Sequence, residues 1–318
     1  MDKTSSPELK PAPFRDPYPG YIVIKSAALA INQTDAANQR LATYPTMLGI
    51  DVAGIVAAVG PDITRFKPGD RVVGYAISLA GKATARTEYT VIRSDCASAI
   101  PDSMSFESAI VLPLVVATAA YGLFGDATLG MEHPSMDPEP VDETILIWGG
   151  SSSVGGTALQ LAKSAGYEVI ATADTKDCDY VKSLGADYVV DDKSPRVVEE
   201  IASLLQKKNL AGALDGSGSE DTIIMLAHAI ANATGERKVI CLKKPPTGLP
   251  GGITAQLILS TSIIGTPLSE AIFEDYLPAA LAEGRFKPVP EPSGVQGSVQ
   301  FVDARRKGVA GKNVAVVS

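Results

Sequence analysis

The sequence predicts an α/β protein in which a doubly wound parallel sheet is joined to a small β-barrel domain. Three observations carry this. From Thr144 onward, short apolar strands alternate with helical stretches, a rhythm that builds a parallel sheet covered on both faces. Before Phe106, short Val- and Ile-rich runs are separated by Gly and Pro, the spacing of a small barrel. The balance of 45% hydrophobic to 20% charged residues over 318 positions is that of a globular chain long enough for two domains. It excludes a disordered, collagen-like or coiled-coil chain.

In order along the barrel part, residues 22–24 form a short strand after the Pro-rich lead PAPFRDPYPG. DVAGIVAAVG (51–60), KPGDRVVGY (67–75) and ARTEYTVI (85–92) supply further strands. Residues 105–124 turn Ala-rich and read as helix, with Ser105 as its cap and Pro113 either kinking it or starting a second helix. After an acidic, Pro-rich loop (133–143), TILIW (144–148) is a buried-type strand and residues 154–166 a helix stopped at Gly166. YEVIATA (167–173) is a strand, CDYVKSLGA (178–186) a helix and DYVVDD (187–192) a strand. The next helix takes Ser194 as cap and Pro195 as its first residue. LAGALDG, RKVICL and TSIIGT are the later strands. A helix over EAIFEDYLPAALAEG and a terminal strand, VAVVS, close the chain and are expected to return to the first domain.

Lys and Arg number 28 against 36 Asp and Glu, a net charge of -8 without a basic stripe, which argues against nucleic acid or an anionic membrane as partner. Cys96, Cys178 and Cys241 are far apart and form no CxxC, so reduced thiols are expected rather than a disulfide framework. The opening MDKTSSPELKPAP has no apolar core, and no window is expected to reach the roughly 20 apolar residues of a membrane helix. The expectation is a cytoplasmic protein.

The informative segment is TILIW-GGSSSVGG-TALQLAKSAG. A strand runs into a Gly- and Ser-rich turn that opens a helix. Gly149 and Gly150 permit a tight turn and close approach to a pyrophosphate, and Gly155 lets the helix pack against the strand. Free amides at the helix start around Val154 favour anionic oxygens, and Ser151, Ser152 and Ser153 add hydroxyls. The spacing is not GxGxxG; the strand before, the helix after and the second strand carry the dinucleotide reading over that of a structural Gly turn. At the end of the second strand, Ala173 is small where an NAD-type acid would stand. Thr175 and Lys176 are suited to a 2′-phosphate, and Asp177 completes the stretch. Asp174 either serves NAD or caps the next helix. NADPH is the cofactor favoured.

In its landmarks the chain resembles the medium-chain dehydrogenase/reductase superfamily. They are AINQTD (30–35), YPTMLGIDVAGIVAAVG (44–60), RFKPGDRVVGY, LPLVVATAAYGLF, ILIWGGSSSVGGTALQLAKSAGYEVIATA, DYVKSLGADYVV and RKGVAGKNVAVV. Within it, the zinc-independent quinone-reductase-like branch is most similar, and there the fungal trans-acting, ToxD-like enoyl reductases. The resemblance implies a GroES-like substrate domain (1–113 and 267–318), a Rossmann domain binding NADPH (114–266) and an active site in the cleft between them. It implies hydride transfer to an activated double bond of a small-molecule or carrier-bound acyl substrate. A polyketide synthase partner follows by analogy only. Either a monomer or a homodimer paired through TSIIGT is compatible.

Zinc-dependent relatives carry Cys at Asn32 and His-Glu at Ile50-Asp51, and Ile50 offers no ligand atom, so no metal is expected. The resemblance directs Asn32 and Thr118 toward the nicotinamide or pocket; a turn residue and a helix-internal hydroxyl are equally open roles. Tyr121 either lines the pocket or packs. No side chain stands out as a general acid, and a solvent proton suffices. Three departures from the family pattern stand out. The opening strand is replaced by MDKTSSPELK. An Asn-Pro-x-Asp-Trp motif reads Asn32-Gln33-Thr34-Asp35-Ala36. A Tyr at the adenosine end is replaced by Asp192, beside Lys193. Besides a reductase of enoyl thioesters, enones or quinones, the residues allow a zinc-independent carbonyl reductase or a non-catalytic NADPH-binding partner or sensor.

Overall fold

The computed structural model describes residues 16–32, 49–76, 88–289, 293–296 and 313–316. The replaced opening strand, the motif residues 33–36 with Ala36, and the loop 77–87 lie outside the described residues. The chain forms two compact units: Met1–Leu114 with Phe273–Ser318, and Val115–Ile272.

The first unit is built on an antiparallel, GroES-like sheet. Its strands are β1 (Tyr21–Ile31), β2 (Asp51–Val59), β3 (Arg71–Tyr75), β4 (Tyr89–Arg93), β5 (Ala97–Ala99), β13 (Ser293–Gln296) and β14 (Asn313–Val316). The order is β13-β14-β1-β2-β3-β5, with β4 also pairing β1. β1 runs far beyond the three residues expected because its two ends take different partners. Tyr21 to Lys25 pair β4, and Ala28 to Ile31 pair β14, so the chain's last strand does return to its first. Alternate residues Ile22, Ile24, Val52, Val56, Val72 and Ile92 point to one face and form the core with Phe66. Arg65 fastens the returning segment. It donates to Ser94 O (2.7 Å), Ala97 O (3.0 Å) and Phe273 O (3.2 Å), pairs with Glu274 (3.0 Å) and stacks on Phe66.

The second unit holds a parallel sheet: β6 (Thr144–Trp148), β7 (Glu168–Ala173), β8 (Tyr188–Asp191), β9 (Asn209–Asp215), β10 (Thr234–Gly235), β11 (Lys238–Cys241) and β12 (Thr254–Leu257). Its order, β8-β7-β6-β9-β11-β12, is the 3-2-1-4-5-6 order of a Rossmann sheet, with β10 added beside β9. Helices α1 (Phe106–Ala109) and α2 (Pro113–Phe124) precede it; α3 (Ser153–Ser164), α4 (Cys178–Ser183), α5 (Val197–Leu205) and α6 (Glu220–Ile230) alternate with its strands. Leu146, Ile170, Ala213, Val239 and Cys241 face α5 and α6. The alternate residues Leu214 and Ile240 face α2, where a Cβ on Gly122 would lie 3.1–3.3 Å from them.

Several local expectations hold. Ser105 Oγ accepts from Ser108 N–H, and Pro113 opens a second helix. Others do not. Ser194 does not cap α5: its Oγ accepts from Arg196 N–H and donates to Glu200, while Arg196 occupies the cap position, so Pro195 sits in the preceding turn. TSIIGT is not a strand. Residues Ser260–Ile263 form a 3-10 turn, Thr266 Oγ1 donates back to Ile263 O, and Gly265 turns at φ 69°. The sheet edge is instead TAQL, β12. The helix over 270–284 is broken by a π segment, Ala271–Tyr276, ahead of α8 (Leu277–Ala282), because Pro278 has no N–H to give the preceding turn; α7 is Pro267–Glu270. Contrary to expectation, residues Phe106–Phe124 are long and apolar enough to cross a membrane. The stretch is interrupted before Pro113 and is 72% buried within the protein, as a core helix is.

Arg65→Ala removes the charged donors that bind three carbonyls and a carboxylate. It is expected to lower stability by about 2–3 kcal/mol, read as the shift in urea midpoint; a loss below about 0.5 kcal/mol contradicts the fastening role.

Candidate functional site

The reversal of strand order falls between β6 and β9, where doubly wound sheets leave a crevice beyond the carboxyl ends. The Gly-rich turn stands there. Gly149 turns at φ 75°, a conformation that glycine adopts without strain. Its N–H donates to Thr172 Oγ1 (3.0 Å), and Gly150 N–H donates to Thr172 O (2.7 Å). A Cβ on Gly155 would overlap the carbonyl of Gly149, and one on Gly216 would lie 2.9 Å from the Gly155 backbone. Helix α3 therefore starts in direct backbone contact with the ends of β6 and β9.

Ser152 locks this contact. It caps α3, accepting from Gly155 N–H (3.0 Å), and its hydroxyl donates to Gly216 O (2.9 Å); Gly216 N–H in turn donates to Trp148 O (2.9 Å). The Ser152 hydroxyl and the amides of both early glycines thus serve the fold. Half-buried Ser151, Ser153 and Val154 differ: among the described residues their amides meet no acceptor, and they cluster at the positive end of a 12-residue helix. A diphosphate fits this donor set.

Asp215 fixes the β9 side. Fully buried, it accepts from Ser217 N–H (3.1 Å), Ser217 Oγ (2.8 Å), Thr222 Oγ1 (3.0 Å) and Gly218 N–H (3.0 Å). Burial, then the Asp215 charge, pushes the Cys241 thiol up to about 11, so it stays neutral. Thr172, Asp215 and Gly216 escape the sequence reading. The D-G-S-G run after the fourth strand is the signal that points to the last two.

The second strand end carries the other expected residues. Asp174 caps a 3-10 turn, Oδ1 accepting from Lys176 N–H (3.3 Å), which is the capping alternative left open above. Thr175 and Lys176 are exposed and Asp177 is half-buried. Pairing of β7 with β8 brings Asp192 to this group, its N–H donating to Ala173 O (2.9 Å). Thr118 is buried within α2 and Tyr121 half-buried one turn on. Asn32 belongs to the other unit. It is buried there, and Nδ2 donates to Asp51 Oδ2 (2.7 Å), while Asp51 Oδ1 accepts from Leu114 N–H (2.9 Å).

Comparison with known proteins adds family. Residues 18–111 match an alcohol dehydrogenase GroES-like domain, and residues 153–281 match a zinc-binding dehydrogenase domain. The chain is 35% identical to the dehydrogenase azaJ of Aspergillus niger over 99% of its own length and 96% of the relative's. It is 36% identical to the trans-enoyl reductase himH of Aspergillus japonicus, over 93% and 89%. An alcohol dehydrogenase superfamily protein of Novosphingobium aromaticivorans superposes with a TM-score of 0.77 over 98% of this chain and 96% of that one, at 23% identity.

Gly155→Ala is expected to cost about 1–3 kcal/mol by overpacking and to weaken nucleotide binding at least about tenfold, because the helix start must move. Thr172→Val, which leaves the Gly149 amide unmatched, is expected to cost about 1–2 kcal/mol. Urea midpoints and calorimetric titration with a reduced nicotinamide nucleotide check both; a Gly155→Ala protein with unchanged midpoint and affinity contradicts the packing account.

Proposed function

The chain belongs to the medium-chain dehydrogenase/reductase superfamily of oxidoreductases, and from that premise we propose that it reduces an activated carbon–carbon double bond with a reduced nicotinamide dinucleotide. The observation that carries this reading is the cradle beyond β6: three unmatched amides at a helix start, opened by Gly149 in a left-handed conformation and by Gly155, which admits no Cβ. When bound, the reduced nicotinamide supplies the hydride. The chain's own part is to hold the diphosphate at Ser151, Ser153 and Val154, to polarise the substrate carbonyl with hydrogen bonds, and to exclude competing chemistry. Asn32 and Thr118 are offered for polarising that carbonyl by the family resemblance alone. Hydride reaches the β-carbon, negative charge develops on the carbonyl oxygen, and a solvent proton completes the α-carbon.

The proposal needs no catalytic zinc. Where zinc-dependent relatives place ligands, Ile50 has only hydrocarbon, and Asn32 and Asp51 hold each other at 2.7 Å. A catalytic zinc takes three protein ligands and an open position, and this donor set does not fit it. Carrier-bound enoyl thioesters are the substrate class that the likeness to trans-enoyl reductases supports, with a polyketide synthase as their source.

Nucleotide oxidation is expected with enoyl thioesters, and more slowly with enones and quinones of similar size. Asn32→Ala is expected to lower kcat about tenfold or more while nucleotide affinity stays within about twofold. Tight nucleotide binding without turnover of any acceptor overturns the reductase reading in favour of a binding partner.

A further inference from the structure

The Gly-rich turn suits either nicotinamide dinucleotide; the adenosine end decides between them, and it lies beyond the carboxyl end of the second strand. In this chain that place is strongly acidic. Asp174 follows β7, Asp177 immediately precedes α4, Asp191 ends β8, and the Asp192 amide is bonded to Ala173 O. Lys176 and Lys193 are the cations adjacent to them in sequence, so these six side chains set four acids against two bases. Lys193 is 72% exposed and lies 3.3 Å from Asp192 Oδ1, an oxygen shut off from solvent that accepts no hydrogen bond among the described residues. The Thr175 hydroxyl, which the sequence offers to a phosphate, instead donates to Asp191 Oδ2 (2.8 Å), and Lys193 N–H donates to Asp191 Oδ1 (2.9 Å). First that amide and then that hydroxyl hold the Asp191 carboxyl below its ordinary range, so it is ionised at neutral pH.

We propose that this chain selects NADH over NADPH, because the carboxylates at the ends of β7 and β8 repel a 2′-phosphate and offer acceptors to a free ribose diol. The inference rests on the dinucleotide reading above and reverses the choice of NADPH suggested by Thr175 and Lys176 in the sequence. A phosphate at this point meets like charge from two strands at once, and one of the two lysines, Lys193, is already paired with Asp192.

Calorimetric titration of the full chain with NADH and with NADPH tests it. NADH is expected to bind at least about tenfold tighter at low salt, with the ratio shrinking at about 0.5 M salt as screening grows. The variant combining Asp174→Ser and Asp192→Asn is expected to narrow the ratio at least about fivefold, through tighter NADPH binding. NADPH binding as tight as NADH in the natural chain overturns the selection and leaves the dinucleotide reading standing. An unchanged ratio in a variant of native melting temperature overturns the residues assigned. Binding of neither nucleotide overturns both.

Discussion

Helix α3 reaches the ends of β6 and β9 with no side chain between them, and the rest of the site depends on that contact. Gly155 sits on the carbonyl of Gly149 and against Gly216. Any larger residue lifts the helix start away from the sheet. With the contact made, Ser152 ties the turn to the β9 loop and Thr172 ties it to β7. The ends of β6, β7 and β9 are thereby tied together, and the amides of Ser151, Ser153 and Val154 are left over beside them. Preorganisation of this kind lets backbone dipoles bind an anion without reordering.

Charge is divided sharply along these strand ends. The helix start is positive and neutral in side chains, whereas the end of β7 and β8 gathers four carboxylates and two lysines. Asp215, at the end of β9 on the other side of β6 from that acidic group, is fully buried yet matched by four hydrogen bonds, so its charge serves the loop rather than a ligand. In the other unit, the buried Asn32 and Asp51 hold each other through a 2.7 Å hydrogen bond. The chain thus keeps the family's architecture in both units.

Much of this was legible in the sequence because it is local. The strand-turn-helix segment around Gly149 to Gly155 announces itself by composition, and the alternation after Thr144 yields the sheet class. The misreadings share a cause. TSIIGT has strand composition, but Gly265 and the Thr266 hydroxyl turn it, while the plainer TAQL takes the edge through pairing with β11. Ser194 looks like a cap, yet the turn through Pro195 and Arg196 moves the helix start onward. Thr172 and Gly216 matter through contacts 23 and 64 residues away, which no local pattern encodes. The acid group is visible only once β7 pairs β8 and brings Asp191 and Asp192 beside Asp174.

Amide-resolved hydrogen exchange on adding NADH tests the central claim most directly. The account predicts slowed exchange at Ser151, Ser153 and Val154, with Gly149 and Gly150 unchanged because Thr172 already holds their amides. Protection that appears elsewhere in the chain while those three amides stay as they were would contradict it.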